Sequence, residues 1–258
     1  MPTLPAQLFC PEIEASTAAL AALMDAGDQD LQIPTCPGWT LRQLATHVGR
    51  AHRWAAEIAG TRSASMIEFR AVPGGKLPDD PSDRGRWLSS GAALLVRNLR
   101  DAGDDRVWAF HGLAPASFWA RRMAHETVVH RADAQLAAGQ DFTVGAPLAA
   151  DAIDEWLTVL TAPAPGEPDE RGGALPPGRS LHIHATDHGL DGAGEWLAGN
   201  AADGVTVTSG HGRADVALSG PAADLLLVLM RRKPASDPAV RVFGDQAVLD
   251  QWLEHTPF

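Results

Sequence analysis

The sequence predicts an α+β protein of two domains, an antiparallel four-helix bundle followed by a small α+β domain. Three observations carry that expectation. Residues 1–160 contain apolar residues at helical spacing, interrupted by breaker-rich loops. Residues 161–179 (TAPAPGEPDERGGALPPGR) hold five Pro and four Gly and read as a linker. Residues 180–258 then switch to period-two alternation, the pattern of half-buried strands, in a stretch long enough for an independent unit. With 258 residues, 45% hydrophobic and 21% charged, the chain can bury a core and is not a disordered polymer.

The elements follow in order. Glu12 to Ala26 is rich in Ala and Leu, with Ile13, Ala19, Leu20 and Leu23 apolar and Gly27 as a stop. Pro34 and Pro37 keep Ile33–Trp39 out of helix. Thr40-Leu-Arg-Gln43 fits a capping box, in which the Thr hydroxyl accepts a first-turn N–H and Gln43 reaches back. Leu41, Leu44, Val48 and Trp54 or Ala55 then form an apolar face, and Gly60 ends the run. Residues 61–82 read as loop, with Ser82 capping a third helix to about Arg100 that turns Trp87, Leu94 and Leu95 inward. Ala116 to Ala138 forms a fourth helix and Pro147 to Thr161 a shorter fifth. In the second domain, Ser180–Thr186, Val205–Thr208, Ala214–Leu218 and Val240–Phe243 read as strands. Pro221–Arg232 and Asp245–His255 read as helices.

Composition excludes several function classes. The formal charge is −11, from 32 acidic and 21 basic residues, which disfavours nucleic acid or an anionic membrane as partner. Two cysteines, Cys10 and Cys36, cannot build a disulfide framework or a Cys₄ or Cys₂His₂ zinc site. The densest apolar run, Leu225 to Met230, is too short to span a bilayer, and the N-terminus lacks the pattern of a secretory signal. A reduced, cytoplasmic protein is the expectation. Ten His and eight Trp beside no Tyr is the unusual feature.

The sharpest local motif is His125-Glu126-Thr-Val-Val-His130 on the fourth helix. Glu126 and His130 are four apart and share a face whose other members, Met123, Ala134 and Ala137, are apolar or small. A carboxylate and an imidazole on an inward stripe are costly unless paired or metal-bound. His47 lies at the edge of the apolar face of the second helix, and facing helices can present ligands to one interior point. His47, Glu126 and His130 would give two nitrogens and one oxygen with a coordination position left open, the pattern of a catalytic zinc. Iron or nickel would accept the same donors. Glu/His pairs at this spacing are also common on solvated helix faces, so the spacing alone leaves that reading open.

A wider pattern is recognisable. Thr35-Cys-Pro-Gly-Trp39-Thr-Leu-Arg-Gln-Leu-Ala-Thr-His47, then His125-Glu126-Thr-Val-Val-His130-Arg-Ala-Asp133-Ala, resembles the mycothiol-dependent maleylpyruvate isomerase family. The run Gly210-His-Gly-Arg-Ala-Asp-Val-Ala-Leu-Ser-Gly220-Pro-Ala-Ala-Asp-Leu-Leu-Leu227 is similar to that family's second domain. The resemblance implies a DinB-like metal-binding bundle at 1–160 and a sterol-carrier-like domain at 180–258. It implies His47, Glu126 and His130 as ligands of a divalent metal, zinc first, and mycothiol as co-substrate. It further implies that basic residues of the second domain, Arg231 or Arg232, help hold an anionic substrate or thiol. The expected function is a metal-dependent thiol transferase or isomerase acting on a small electrophile. Metal-assisted hydrolysis by a bound water, or non-catalytic binding of a small ligand, are the alternatives. Expected partners are small molecules, with neither nucleic acid nor membrane.

Other residues receive plainer expectations. Arg122, Arg131 and Asp133 could orient the ligands, Asp133 best of the three, with solvated helix charges the commoner outcome. His125 points about 100° away from Glu126 and His52 faces elsewhere, so neither is expected as a ligand. His182 and His184 share a strand face but lack an identified carboxylate, so a solvated face is expected. His111, His188, His211 and His255 receive no role. Trp39 is expected as a packing anchor, Trp119 and Met123 as core, and Cys36 as a small buried residue.

Overall fold

The computed structural model describes residues 4–161, 174–201 and 204–256. Residues 162–173, most of the expected 161–179 linker, lie outside the described residues. The chain divides into two compact units: residues 5–142, and residues 143–258 together with the first four.

The helical unit contains α1 (Phe9–Ala26), α2 (Leu41–Thr61), α3 (Arg84–Ala102) and α4 (Ser117–Ala137). α1 packs against α3 and α4, and α2 packs against the same two helices. Burial of Leu20, Met24, Leu41, Leu44, Val48 and Leu88 supplies their common core. α2 starts where its local chemistry dictates. The Gln43 N–H donates to Thr40 Oγ1 at 3.4 Å and the Thr40 N–H to Gln43 Oε1 at 2.8 Å, so both arms of the capping box form. α3 differs from expectation at its start. Ser82 lies in a 3₁₀ turn (Pro81–Asp83) capped by Asp80, whose carboxylate accepts the Ser82 N–H at 2.9 Å.

Between α3 and α4 runs a hairpin absent from the sequence reading, β1 (Arg106–Ala109) with β2 (Gly112–Pro115). Its four-residue strands are too short to show a period, and they gain stability from tertiary anchors. Val107 and Ala109 are buried, the Trp108 N–H donates to Ser63 O at 2.7 Å, and Trp119 Nε1 donates to Trp108 O at 2.7 Å.

The sheet unit holds α5 (Ala146–Thr161), β3 (Ser180–Ala185), β4 (Glu195–Ala201), β5 (Gly204–Ser209), β6 (Val216–Gly220), α6 (Ala222–Leu229), β7 (Arg241–Gly244) and α7 (Gln246–His255). Strand order is β5-β4-β3-β6-β7, with β3 and β6 parallel and every other pair antiparallel. Strand alternation puts Leu181, Ile183, Trp196, Ala198, Val216 and Leu218 on a buried face. α6 and α7 contact the central strand β3 and its parallel neighbour β6. α5, which the sequence reading grouped with the N-terminal helices, belongs to this unit. It packs on α6 and β5, and its Asp154 accepts from Trp196 Nε1 at 3.4 Å. β4 was not expected. It pairs along its whole length with β3 and β5 and brings Glu195 beside His184. No described helix is long and apolar enough to cross a membrane.

Candidate metal centre

Two helices and one loop build the site in the helical unit. α4 is buried around most of its circumference, so Glu126 and His130 are both buried despite their polarity. His47 projects from the second turn of α2 and remains partly exposed. The loop Ile33–Trp39 closes on itself: the Ile33 N–H donates to Trp39 O, and the Trp39 N–H to Cys36 O. Gly38, at φ 82°, supplies the left-handed residue that this turn needs.

The structure brings all three predicted ligands together. His47 Nε2 lies 2.8 Å from Glu126 Oε1, and His130 Nε2 lies 3.3 Å from the same oxygen. One ligand atom from each residue falls within 4.8 Å of the others. The two imidazole rings meet edge to face at 5.0 Å. Tetrahedral donors about 2.0–2.1 Å from a zinc ion stand about 3.4 Å apart, so the 2.8 and 3.3 Å separations already approach coordination geometry. The donor set fits a borderline divalent cation better than Ca²⁺ or Mg²⁺, which take oxygen ligands.

Neighbouring side chains orient these donors. Asp133, with no exposed surface, lies 2.9 Å from His130 Nδ1, which directs Nε2 toward Glu126. This is the carboxylate–histidine relation that fixes a ligand's tautomer. Thr35 Oγ1 donates to Asp133 Oδ1 at 2.5 Å, and Cys36 Sγ stands 3.4 Å from Oδ2. Arg122 pairs with Glu126 Oε2, leaving Oε1 for the two imidazoles. Burial opposes ionisation of Glu126, but Arg122 and hydrogen bonds from His130 and His47 outweigh it and hold its carboxyl well below the usual range. Burial likewise opposes protonation of His130, yet Asp133, Cys36 and Glu126 push it well above the ordinary value. The pull is toward a carboxylate on Glu126 beside an imidazolium on His130, and a cation bound there would displace the proton from His130 Nε2.

Several expectations need correction. Arg122 is not a solvated helix charge; its side chain is 13% exposed and engaged with Glu126. Cys36 is partly exposed and stands against Asp133 rather than buried in core. Trp39 does more than pack, since its ring lies 5.1 Å from that of His47 and 6.3 Å from that of His130. Phe69, which the sequence did not single out, faces His47 at 6.1 Å. His125 turns away, edge-on to Phe9, and Arg131 stacks over Phe142. His52 is buried with Nε2 2.8 Å from Thr127 Oγ1, outside the ligand set. Arg231 and Arg232 belong to the sheet unit, where Arg231 follows α6 at φ 61° and Arg232 donates to Met230 O at 2.6 Å.

Comparison with known proteins gives a consistent picture. A family model described as the mycothiol maleylpyruvate isomerase N-terminal domain matches residues 10–135. The corresponding MDMPI C-terminal domain matches residues 147–251, taking in α5. Among solved structures, mycothiol-dependent maleylpyruvate isomerase is similar with a TM-score of 0.58 and 16% identity, covering 94% of this chain and 95% of that one. A histidine-to-alanine mutant of it is similar with a TM-score of 0.59, 14% identity and the same coverage. That likeness is one of fold. No curated protein sequence matches.

Proposed function

This chain belongs to the mycothiol maleylpyruvate isomerase family, and from that membership we propose that it is an enzyme that uses a low-molecular-weight thiol to isomerise, or to add to, a small electrophile. The observation that carries the reading is the convergence of His47 Nε2, Glu126 Oε1 and His130 Nε2, with Asp133 behind His130. In this reading the three residues hold a divalent cation, zinc first. Such a cation supplies positive charge that favours the thiolate form of a thiol at neutral pH.

The chain's own residues supply the rest. Arg122 keeps Glu126 ionised and fixes which oxygen faces the imidazoles. Asp133, braced by Thr35 and Cys36, faces His130 Nδ1 and so turns Nε2 toward Glu126, where a bound cation would take the place of the Nε2 proton. Trp39 and Phe69 wall the His47 side with aromatic surface, limiting water there. The thiol sulfur adds to an activated carbon–carbon double bond, whose π pair moves onto the conjugated carbonyl. Rotation about the new single bond and expulsion of the sulfur restore the double bond in the other geometry and return the thiol unchanged. Family membership supports mycothiol as the thiol in this reading and suggests an unsaturated keto acid of the maleylpyruvate type as the electrophile. Arg231 or Arg232 would hold the anionic end of either molecule. Arg231→Ala and Arg232→Ala are expected to raise KM more than they lower kcat, and unchanged KM in both removes that role.

The test is to incubate zinc-loaded protein with a panel of thiols and cis-unsaturated acids and follow products by mass spectrometry and NMR. The expected result is thiol-dependent cis–trans conversion or adduct formation, lost in Glu126→Gln. Thiol-independent release of hydrolysis products would replace this reading with the hydrolytic one.

A further inference from the structure

The sheet unit carries a second convergence of metal-ligating side chains, on the sheet face opposite Trp196. His182 and His184 are two apart on β3 and therefore share this face. Glu195 opens β4 directly opposite His184. The fourth residue arrives from the end of β5. The Gly210 N–H donates to Glu195 O at 3.0 Å, and Gly210 itself, at φ 133°, adopts a backbone that L side chains rarely take. His211 follows at once and reaches back over the sheet. Its Nδ1 lies 2.8 Å from Glu195 Oε2, while His182 Nε2 lies 3.2 Å from the same oxygen and His184 Nδ1 lies 3.8 Å from Oε1. The three rings meet nearly at right angles, with centroids 5.0 to 6.1 Å apart.

We propose that His182, His184, Glu195 and His211 form a second divalent-metal site, closed by four protein donors and suited to zinc, cobalt or nickel. One ligand atom from each of the four lies within 4.8 Å of all the others. Donors about 2.0–2.1 Å from a tetrahedral zinc stand about 3.4 Å apart, and the observed 2.8, 3.2 and 3.8 Å fall on either side of that value. Hydrogen bonds to Glu195 Oε2 account for the His182 and His211 contacts but not for the His184 contact. At 3.8 Å, His184 is beyond hydrogen-bond reach of the carboxylate it faces, yet it is held in the cluster. Three imidazoles packed this closely repel one another if protonated, whereas neutral rings each have a lone pair to donate. Three nitrogens and one oxygen exclude Ca²⁺ and Mg²⁺, which want six or more oxygens, and match the borderline metals.

Four protein donors leave no open position, so the site is structural and not catalytic. It ties β3, β4 and the turn after β5 at one point. Its members grade from His182, 6% exposed, to His211, 74% exposed, which gives a cation both a rigid base and a way in from solvent. The strand it would pin is β4, whose Ala198, Gly199 and Asn200 are poor strand formers. The inference involves none of the residues of the His47, Glu126 and His130 set.

The test uses the full chain, stripped by chelation and titrated with Zn²⁺ in a calorimeter. Wild type is expected to bind about two ions, and His47→Ala/His130→Ala about one. Adding Glu195→Gln and His211→Ala to the latter should weaken the remaining binding by more than the roughly 10–100-fold that loss of an outer partner costs. Glu195→Gln is isosteric and His211 is exposed, so these changes leave the fold intact, which circular dichroism checks. If His47→Ala/His130→Ala fails to fold, the same comparison in the wild-type background gives two ions falling to one. Zinc binding that Glu195→Gln and His211→Ala leave unchanged in both backgrounds, or none in folded His47→Ala/His130→Ala protein, overturns the proposal.

Discussion

Asp133 has no exposed surface, accepts from Thr35 and lies 2.9 Å from His130 Nδ1, so its effect on the candidate centre is indirect. Asp133→Asn keeps the shape but removes the charge that fixes His130. Metal affinity at that centre should fall about 10–100-fold while the fold persists, as competition with a chelator would reveal. His52 makes a different prediction. Burial first, then Arg53, lowers its pKa from 6.5 to about 3, against a smaller opposing pull from Glu126. The unfolded chain therefore binds a proton that the folded chain refuses between those values. Its contribution to stability is complete above about pH 6.5 and is lost as pH falls toward 3, with a slope approaching about 1.4 kcal/mol per pH unit. His52→Gln keeps a donor for Thr127 and should flatten the urea midpoint between pH 6 and 4 relative to wild type; parallel curves for the two proteins would refute this. At this scale the sequence was partly legible. Glu126 and His130 announce themselves by spacing along one helix. The pairing of Arg122 with Glu126 was not legible, because whether a helical charge meets solvent or a neighbour is decided by what packs over it.

Elements whose signals are local were read correctly from sequence. The α2 start is fixed by Thr40 and Gln43 within one turn, so its position follows without tertiary knowledge. β1, β2 and β4 escaped because their pairing partners define them, and β4 contains Ala, Gly and Asn where a strand former would be expected. That omission also hid Glu195 as the carboxylate beside His182 and His184. Two element-scale predictions follow from glycines. On the α2–α3 seam, a Cβ on Gly49 would stand 2.2 Å from the Trp87 ring, which lies against Arg53 and donates to Gly74 O. Gly49→Ala should cost about 1–3 kcal/mol, whereas Gly145→Ala, with open space around its Cβ, should change stability by less than about 0.5 kcal/mol. In β4, Gly199 has open space and faces Ser180 and Thr206 across the sheet. Gly199→Thr should therefore stabilise the sheet unit by up to about 1 kcal/mol in denaturant unfolding. A loss of stability would show that β4 needs its glycine for another reason.

At the scale of the whole molecule, the change from helical to alternating periodicity was legible and the point of division was not. The Pro/Gly-rich stretch drew the expected boundary to 161–179, whereas the contacts place α5 with the sheet, and the family's second domain likewise begins at residue 147. A helix of ordinary amphipathic pattern does not say which neighbour its face will meet, so no local signal could have assigned α5. Among the described residues, each of the two units holds one His/Glu cluster. The central claim concerns the cluster in the helical unit. It is tested most directly by metal content per chain, measured by plasma mass spectrometry with Glu195→Gln and His211→Ala present to silence the other cluster. The account predicts about one divalent ion in that protein and close to none when His47→Ala, Glu126→Ala or His130→Ala is added. Equal metal in all four proteins, or none in the first after zinc loading, would contradict it.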